Sequence, residues 1–380
     1  IGVVVMLKVA TVCTGIGAPE KALQMLGIPY ELAFFSEIDK AAIRSYCAIH
    51  KENESKNFGD LKNVESVPLP NDIDLIIGGT PCQDFSLAGK GAGGEEGSGT
   101  RSSLMWYYIK LISMYKPKVV IWENVAGVLA YTHLRNYHKF THTLNALGYD
   151  LNAKLVNAKY FNIPQNRVRI FVVATRKDLK KEYEFPYGYD SGIRIKHILQ
   201  DKVAERYFTK RVEKTEMYPE PYYLEDTHRI MKVGCLHNNN YRQDNNILSI
   251  QGISECLMAQ QDRSKGPKIY DTRYDGKRIR RFTERESFRL MGFTDEDYFR
   301  SRYRYVKQGK RKIPETYVSE TDIYKQAGNS IVVHVMAALI GELYGIDWKP
   351  IVFGDRYKTD EQLLMEMPLF RGLADYEDTE

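Results

Sequence analysis

Short apolar runs alternate with amphipathic stretches through the first half of the chain, and this alternation limits the fold more than any other feature. Runs at residues 7–13, 31–36, 73–77, 118–122 and 170–174 are rich in β-branched and aromatic residues and too short for helices. Stretches with helical spacing lie between them, at 20–26, 104–114 and 138–147. About six strand-like runs alternating with helices predict an α/β fold. The expected form is a doubly wound, mostly parallel, Rossmann-like sheet that ends near residue 180. Ligands of such sheets bind beyond the carboxyl ends of the strands. The residues at those ends are therefore the first candidates for function.

The first run ends in Cys13-Thr14-Gly15-Ile16-Gly17-Ala18. Strand, glycine turn and helix together bring backbone N–H groups close to a nucleotide-like ligand. Glu20 stands where a dinucleotide fingerprint has its third glycine, which weakens a nicotinamide-cofactor reading. The second run ends at Glu37-Ile38-Asp39, about 20 residues later, where a carboxylate accepts hydrogen bonds from ribose hydroxyls. Glu37 is the better ribose ligand, and Asp39 is also placed to cap the following helix. Asp60, in Asn57-Phe58-Gly59-Asp60-Leu61, is either an acceptor for an exocyclic amine or a turn former.

The third run is closed by Gly78-Gly79 and followed by Thr80-Pro81-Cys82-Gln83-Asp84-Phe85-Ser86, with a glycine-rich segment at 89–99. A cysteine on a tight turn at a strand end is a plausible mount for a nucleophile, and equally a buried structural thiol. The next run ends in Glu123-Asn124-Val125, so two successive strands end in a cysteine and a carboxylate. Gln165-Asn166-Arg167-Val168-Arg169 leads into the last run.

Beyond residue 177 the character changes. Tyrosine, asparagine and charged residues dominate to about residue 277, and stretches such as 237–240 and 242–246 read as loops whose polar side chains suit base edges in a groove. A capped helix is expected at 284–291, an apolar one at 331–344, and a stretch dense in Arg, Lys and Tyr at 300–312 is either a solvated face or a lining for a phosphate backbone. The net charge of +5 permits a polyanionic partner. Five cysteines without close pairing argue against a disulfide framework and for a reducing compartment, and Cys235 with His237 lacks the partners of a metal site. No apolar run approaches the roughly 18 residues of a membrane span. Met6 is a candidate natural start, and the acidic end of the chain reads as a solvated terminus.

Combined, these residues suggest attack on an electron-poor ring. A thiol adding to C6 of a pyrimidine pushes density onto C5 if N3 is protonated, and Glu123 on the adjacent strand end supplies such an acid. An arginine such as Arg167 or Arg169 then holds the ring O2. A Cys–His protease would need a histidine at a strand end, and exocyclic amino methylation would need an Asn/Asp-Pro-Pro-aromatic turn; neither is present.

Along nearly its whole length the chain resembles a DNA (cytosine-5) methyltransferase of the bacterial and phage type. Eight motifs follow in that family's order: Cys13 to Gly17, Glu37 to Asp39, Gly59 to Leu61, Pro81 to Ser86, Glu123 to Val125, Gln165 to Arg169, Arg281 to Phe293 and Gly328 to Ile331. The resemblance implies that S-adenosyl-L-methionine (AdoMet) is the methyl donor and S-adenosyl-L-homocysteine the product, with no metal. It places Thr14, Gly15, Ile16, Gly17, Glu37, Ile38, Asp60, Leu61, Pro81, Asn329 and Ser330 around that cofactor, Ile38 packing on its adenine.

It makes Cys82 the covalent nucleophile, Glu123 the contact to N3, and Arg169 the contact to O2, with Gln83, Ser86 and Arg167 completing the site. Lys90, Arg101, Gln165, Arg242 and Arg281 are the implied DNA contacts, on a loop that closes over the duplex and in the recognition block. The expected division is a catalytic unit of residues 1–182 plus 318–380 and a target recognition unit with its hinge at 183–317. Also expected are a monomer acting on double-stranded DNA without a membrane, in the cytoplasm of a bacterial or phage-infected cell, with a restriction endonuclease as a candidate companion. Two departures stand out: Cys13 replaces the family's usual aromatic residue, and Glu284 stands where proline is common. A tRNA cytosine-5 methyltransferase and a catalytically silent DNA-binding scaffold are the alternative readings.

Overall fold

A computed structural model describes residues 6–66, 70–81, 103–209, 215–223, 229–236, 245–259, 266–274, 278–308 and 311–365. Cys82, Gln83, Ser86, Lys90, Arg101 and Arg242 lie outside these residues.

The larger sheet holds β1 (Leu7–Val12), β2 (Tyr30–Ser36), β3 (Leu75–Gly79), β4 (Val119–Val125), β5 (Tyr149–Asn157) and β6 (Val168–Arg176), in the order β2-β1-β3-β4-β6-β5. The first four strands are parallel, while β6 runs antiparallel to both β4 and β5. The chain passes from β1 outward to β2 and then returns to β3 on the other side of β1. This leaves a topological switch point between β1 and β3, the place where open α/β sheets open a crevice.

The central strands are apolar on both faces because helices cover both. Leu75, Ile77, Val119, Ile121 and Val173 join one apolar cluster, with residues of α1 (Ala18–Met25) and α8 (Val333–Tyr344). The alternating residues Ile76, Val120, Trp122 and Val172 join another, with α3 (Leu104–Tyr115) and α4 (Tyr131–Ala146). The apolar stretch that ends in α8 is thus core material, mostly buried against the sheet. β5 was not anticipated. It lies at the sheet edge, where half-exposed alternation dilutes the apolar signal.

The tyrosine- and asparagine-rich stretch up to about residue 277, in which no strands were anticipated, contains most of a second sheet. Its five strands are β7 (Thr215–Tyr223), β8 (Met231–Leu236), β9 (Asn246–Ser249), β10 (Lys268–Asp271) and β11 (Arg278–Arg281), in the order β11-β10-β9-β8-β7. Three of these strands have four residues each, so hydrophobic periodicity has no length in which to show. Ile230, Leu248, Ile250, Ile253 and Ile269 belong to the same apolar cluster as α1 and α8, so one core is continuous across both sheets.

After β11 come α5 (Glu284–Arg289), shorter than expected, and α6 (Asp295–Arg302). A separate ribbon follows, β12 (Tyr303–Gln308) and β13 (Arg311–Thr316), and then α7 (Glu320–Asn329). The Thr283 hydroxyl accepts from the Glu286 N–H and the Glu286 carboxylate accepts from the Thr283 N–H, a reciprocal cap that starts α5. Glu286 also binds the wholly buried Arg280 at 2.8 and 2.9 Å, and Arg280 reaches Asp271 at 2.8 Å, which ties the second sheet to α5.

Candidate active site

The turn after β1 is built for close approach. Gly17 caps α1 with φ of +79°, and a Cβ there would stand 2.2 Å from His50 Nε2. Its lack of a side chain lets α2 (Lys40–His50) pack against the turn, where His50 Nε2 lies 2.9 Å from the Ile16 carbonyl. Glu20, at the position that weakened the nicotinamide reading, is fully buried. Its carboxylate accepts from the Thr11 hydroxyl at 2.6 Å and the Tyr46 hydroxyl at 2.8 Å.

Glu37, at the end of β2, accepts from the Gly15 N–H at 2.8 Å and from the Ile38 and Asp39 N–H groups at 2.8 and 2.9 Å. One carboxylate therefore joins the first two strand ends. Asn57 holds the third member in place: its side-chain oxygen accepts from the Glu37 and Gly59 N–H groups, and its amide donates to the Glu37 carbonyl. Asp60 accepts from the Lys62 N–H and caps a short turn, so the turn-forming reading holds, while Leu61 is buried. Ile38, by contrast, is 68% exposed at the mouth. Asp39 caps α2 as expected and also takes an ion pair from Lys325 of α7, at 2.5 Å. Burial together with Glu37 and Asp60 pushes the Cys13 thiol well up, so it stays neutral.

The second half of the site lies at the ends of β3, β4 and β6. Because β6 runs antiparallel to β4, its beginning lies beside the end of β4, with Arg169 in register with Val125. Arg169 Nε is 3.2 Å from Glu123 Oε1. Gly79 pairs with Glu123 across the strands, and a Cβ on it would stand 3.0 Å from Glu123 Oε2 and 3.6 Å from Ile331. The carboxyl thus has the strand end leading to Cys82 on one side and the segment before α8 on the other. Burial raises the Glu123 carboxyl above its ordinary range, more than Arg169 and Arg167 lower it. A carboxyl whose acid form is favoured by burial, beside a guanidinium, is suited to donate a proton.

Thr80 fixes the approach to Cys82. Its hydroxyl accepts from the Trp122 indole at 2.9 Å, and its carbonyl accepts from the Asn124 amide at 3.1 Å. Both donors come from β4, so the strand that carries Glu123 also anchors the residue before Pro81. Sequence reasoning quoted Thr80 and Asn124 but gave them no role; their offset pairing across two parallel strands is visible only in the register.

Arg167 is buried and acts within the protein. Its Nη1 donates to the Leu257 carbonyl at 2.9 Å, and its Nη2 donates to the Gly328 and Ser330 carbonyls at 3.0 and 2.8 Å. It therefore seats the turn at Asn329 and Ser330 against β6, with Asn329 exposed and Ser330 buried. Two expected DNA contacts are engaged within the protein. Gln165 is 0% exposed, donates to the Leu290 carbonyl and accepts from the Leu257 N–H, both at 2.9 Å, so it is an internal connector. Arg281 is committed to Glu320 at 2.6 Å and is mostly buried, so it holds α7 rather than facing a groove. Cys256, absent from the sequence expectations, lies 3.4 Å from Arg167 Nη1 and 3.7 Å from Arg169 Nη2. Among the described residues no group of three or more His, Cys, Asp or Glu is placed to hold a metal.

Comparison with known proteins agrees with this geometry. The chain is 26% identical to the orphan methyltransferase M.SPRI of Bacillus phage SPR, over 89% of this chain and 97% of that protein. It is 29% identical to the type II methyltransferase M2.ScrFI of Lactococcus lactis subsp. cremoris, over 89% and 99%. Among solved structures, the Dnmt2 methyltransferase of S. pombe superposes with a TM-score of 0.60 at 19% identity, over 90% of this chain and 99% of that one. The methyltransferase EhMeth of Entamoeba histolytica gives 0.63 at 17%, over 90% and 98%. The family profile of the C-5 cytosine-specific DNA methylases matches residues 7–345, the span that carries both halves of the site, and the chain belongs to that family.

Proposed function

We propose that the protein methylates C5 of a cytosine within a short duplex DNA sequence, with AdoMet as the donor and through a covalent bond between Cys82 and C6. The observation that carries this reading is the Glu123–Arg169 pair, held at 3.2 Å beside the strand end that leads through Pro81 to Cys82.

The turn after β1 fits AdoMet. A Cβ on Gly15 would meet nothing within 4 Å, so the space beside that N–H is open. Glu37 stands over it, with a lone pair of Oε2 left for a ribose hydroxyl, and Ile38 offers an exposed apolar face for a purine ring. When bound, AdoMet supplies an electrophilic methyl group. The remaining work belongs to the protein. Cys82 attacks C6, and Glu123 donates a proton to N3 so that the electron pair of the C5–C6 double bond is available at C5. Arg169 holds O2. Once C5 carries the methyl group, water takes its proton, the C–H electron pair re-forms the C5–C6 double bond as Cys82 leaves as thiolate, and N3 returns its proton to Glu123.

The target base must leave the stack to reach this site, which costs a few kcal/mol. The five-stranded sheet and the segments around it form the target recognition unit, within the expected block at 183–317. Bisulfite sequencing of duplex DNA treated with the pure protein and AdoMet tests the reading. Protection of C5 at one short motif, lost in Cys82→Ala, is expected. Activity on tRNA alone, or full activity in Cys82→Ala, contradicts it.

A further inference from the structure

Cys256 belongs to the segment after β9, which folds back over the start of β6. Its Sγ is within reach of Nη1 of Arg167 and Nη2 of Arg169, and the same Arg169 presents its Nε to Glu123. A buried thiol among apolar groups acts as a neutral filler. Here it stands where two guanidiniums converge; that of Arg169 meets the buried Glu123 carboxyl, and that of Arg167 adds a second positive charge whose field favours the carboxylate.

We infer that Cys256 is a positioning residue for the methyl-transfer site: its sulfur holds Arg169 in register with Glu123 and offsets the second positive charge, that of Arg167, which the same carboxyl faces. The inference rests on the function proposed above. The charged groups that meet the sulfur are Arg167, just before β6, and Arg169 of β6; Glu123 of β4 lies beyond Arg169, and Glu255 of its own segment accepts from Asn246 at 2.9 Å. Burial raises the Cys256 thiol, but the two arginines outweigh it and the net direction is downward, toward the thiolate. As a thiol, its hydrogen points at the Leu257 carbonyl, 3.5 Å away.

A sulfur drawn toward the thiolate by Arg167 and Arg169 offsets part of the positive charge that acts on Glu123. Without it, Glu123 faces two uncompensated cations, which favour the carboxylate. An acid that must be protonated then loses activity at lower pH, so the alkaline limb of kcat moves down. Cys256→Ala and Cys256→Ser both remove the anion, whereas Cys256→Asp keeps it. At about pH 8 the first two are expected to lose roughly tenfold in kcat with KM for DNA little changed, and Asp to recover most of that loss. A purely packing role gives the opposite order, with Ser recovering and Asp failing.

A second readout does not require turnover. In a Cys82→Ser background, alkylation of Cys256 by iodoacetamide, read by peptide mapping, is expected to set in at lower pH than that of an ordinary thiol. Arg169→Ala in that background is expected to move it upward. Alkylation with an ordinary thiol profile, no alkylation at any pH, or rescue of kcat by Ser but not Asp overturns the inference. Failure of the wild-type protein to methylate DNA would instead overturn the proposed function and leave the alkylation result standing.

Discussion

At the residue scale the proposed chemistry turns on Glu123. Its acid form persists above the ordinary carboxylate range because it is buried, so kcat is expected to fall on the alkaline side as the group ionises. Glu123→Gln keeps the shape and removes the proton. A loss of about a hundredfold or more in kcat is expected, with affinity for duplex DNA within about threefold of wild type. A kcat within tenfold of wild type would remove Glu123 from the mechanism. The residues proposed for such chemistry were legible because they sit at strand ends in a recognisable order. Their supports were not. Thr80 takes its donors from Trp122 and Asn124 on a neighbouring strand, and Cys256 meets Arg167 from far along the chain; both contacts depend on register and chain return, which no local pattern encodes.

At the element scale the decisive feature is the reversed direction of β6, which delivers Arg167 and Arg169 to the end of β4. The alternation of runs announced the strands but not this reversal, since a buried strand reads alike in either direction. The five-stranded sheet was missed for another reason: its strands are short and its apolar residues are few per strand. The element junction most exposed to substitution is the one under Arg167, which satisfies carbonyls of Leu257, Gly328 and Ser330. Arg167→Met leaves those buried acceptors without their donor, and a loss of about 3 kcal/mol or more is expected. Urea unfolding measures it, and a loss below about 1 kcal/mol would show that the junction is held by packing alone. Gln165→Leu, which opens the bonds to Leu257 and Leu290, is expected to act in the same direction and leave DNA contacts untouched.

At the scale of the whole molecule, acid should loosen the fold. Burial lowers the imidazole of His334, at the start of α8, from 6.5 to about 4, against the pull of its bond to the Phe161 carbonyl. The unfolded chain takes up that proton first, so the stability this group contributes is complete above about pH 6.5 and is lost as the pH falls toward 4. Asp271 and Asp39, lowered by their arginine and lysine partners, lose their contributions in the same direction but at lower pH. Unfolding midpoints that fall from pH 7 to pH 5 check this; a rise would contradict it. The net charge of +5 should make duplex binding weaken linearly with the logarithm of salt concentration. The central claim is the covalent route through Cys82. The most direct test is incubation of the protein and AdoMet with duplex DNA carrying 5-fluorocytosine at the target, since fluorine cannot leave as the C5 proton does. A denaturation-resistant complex whose DNA-linked peptide contains Cys82, absent in Cys82→Ala, is the expected result. Methylation of ordinary DNA with no such complex, or a complex mapped to another cysteine, would contradict the account.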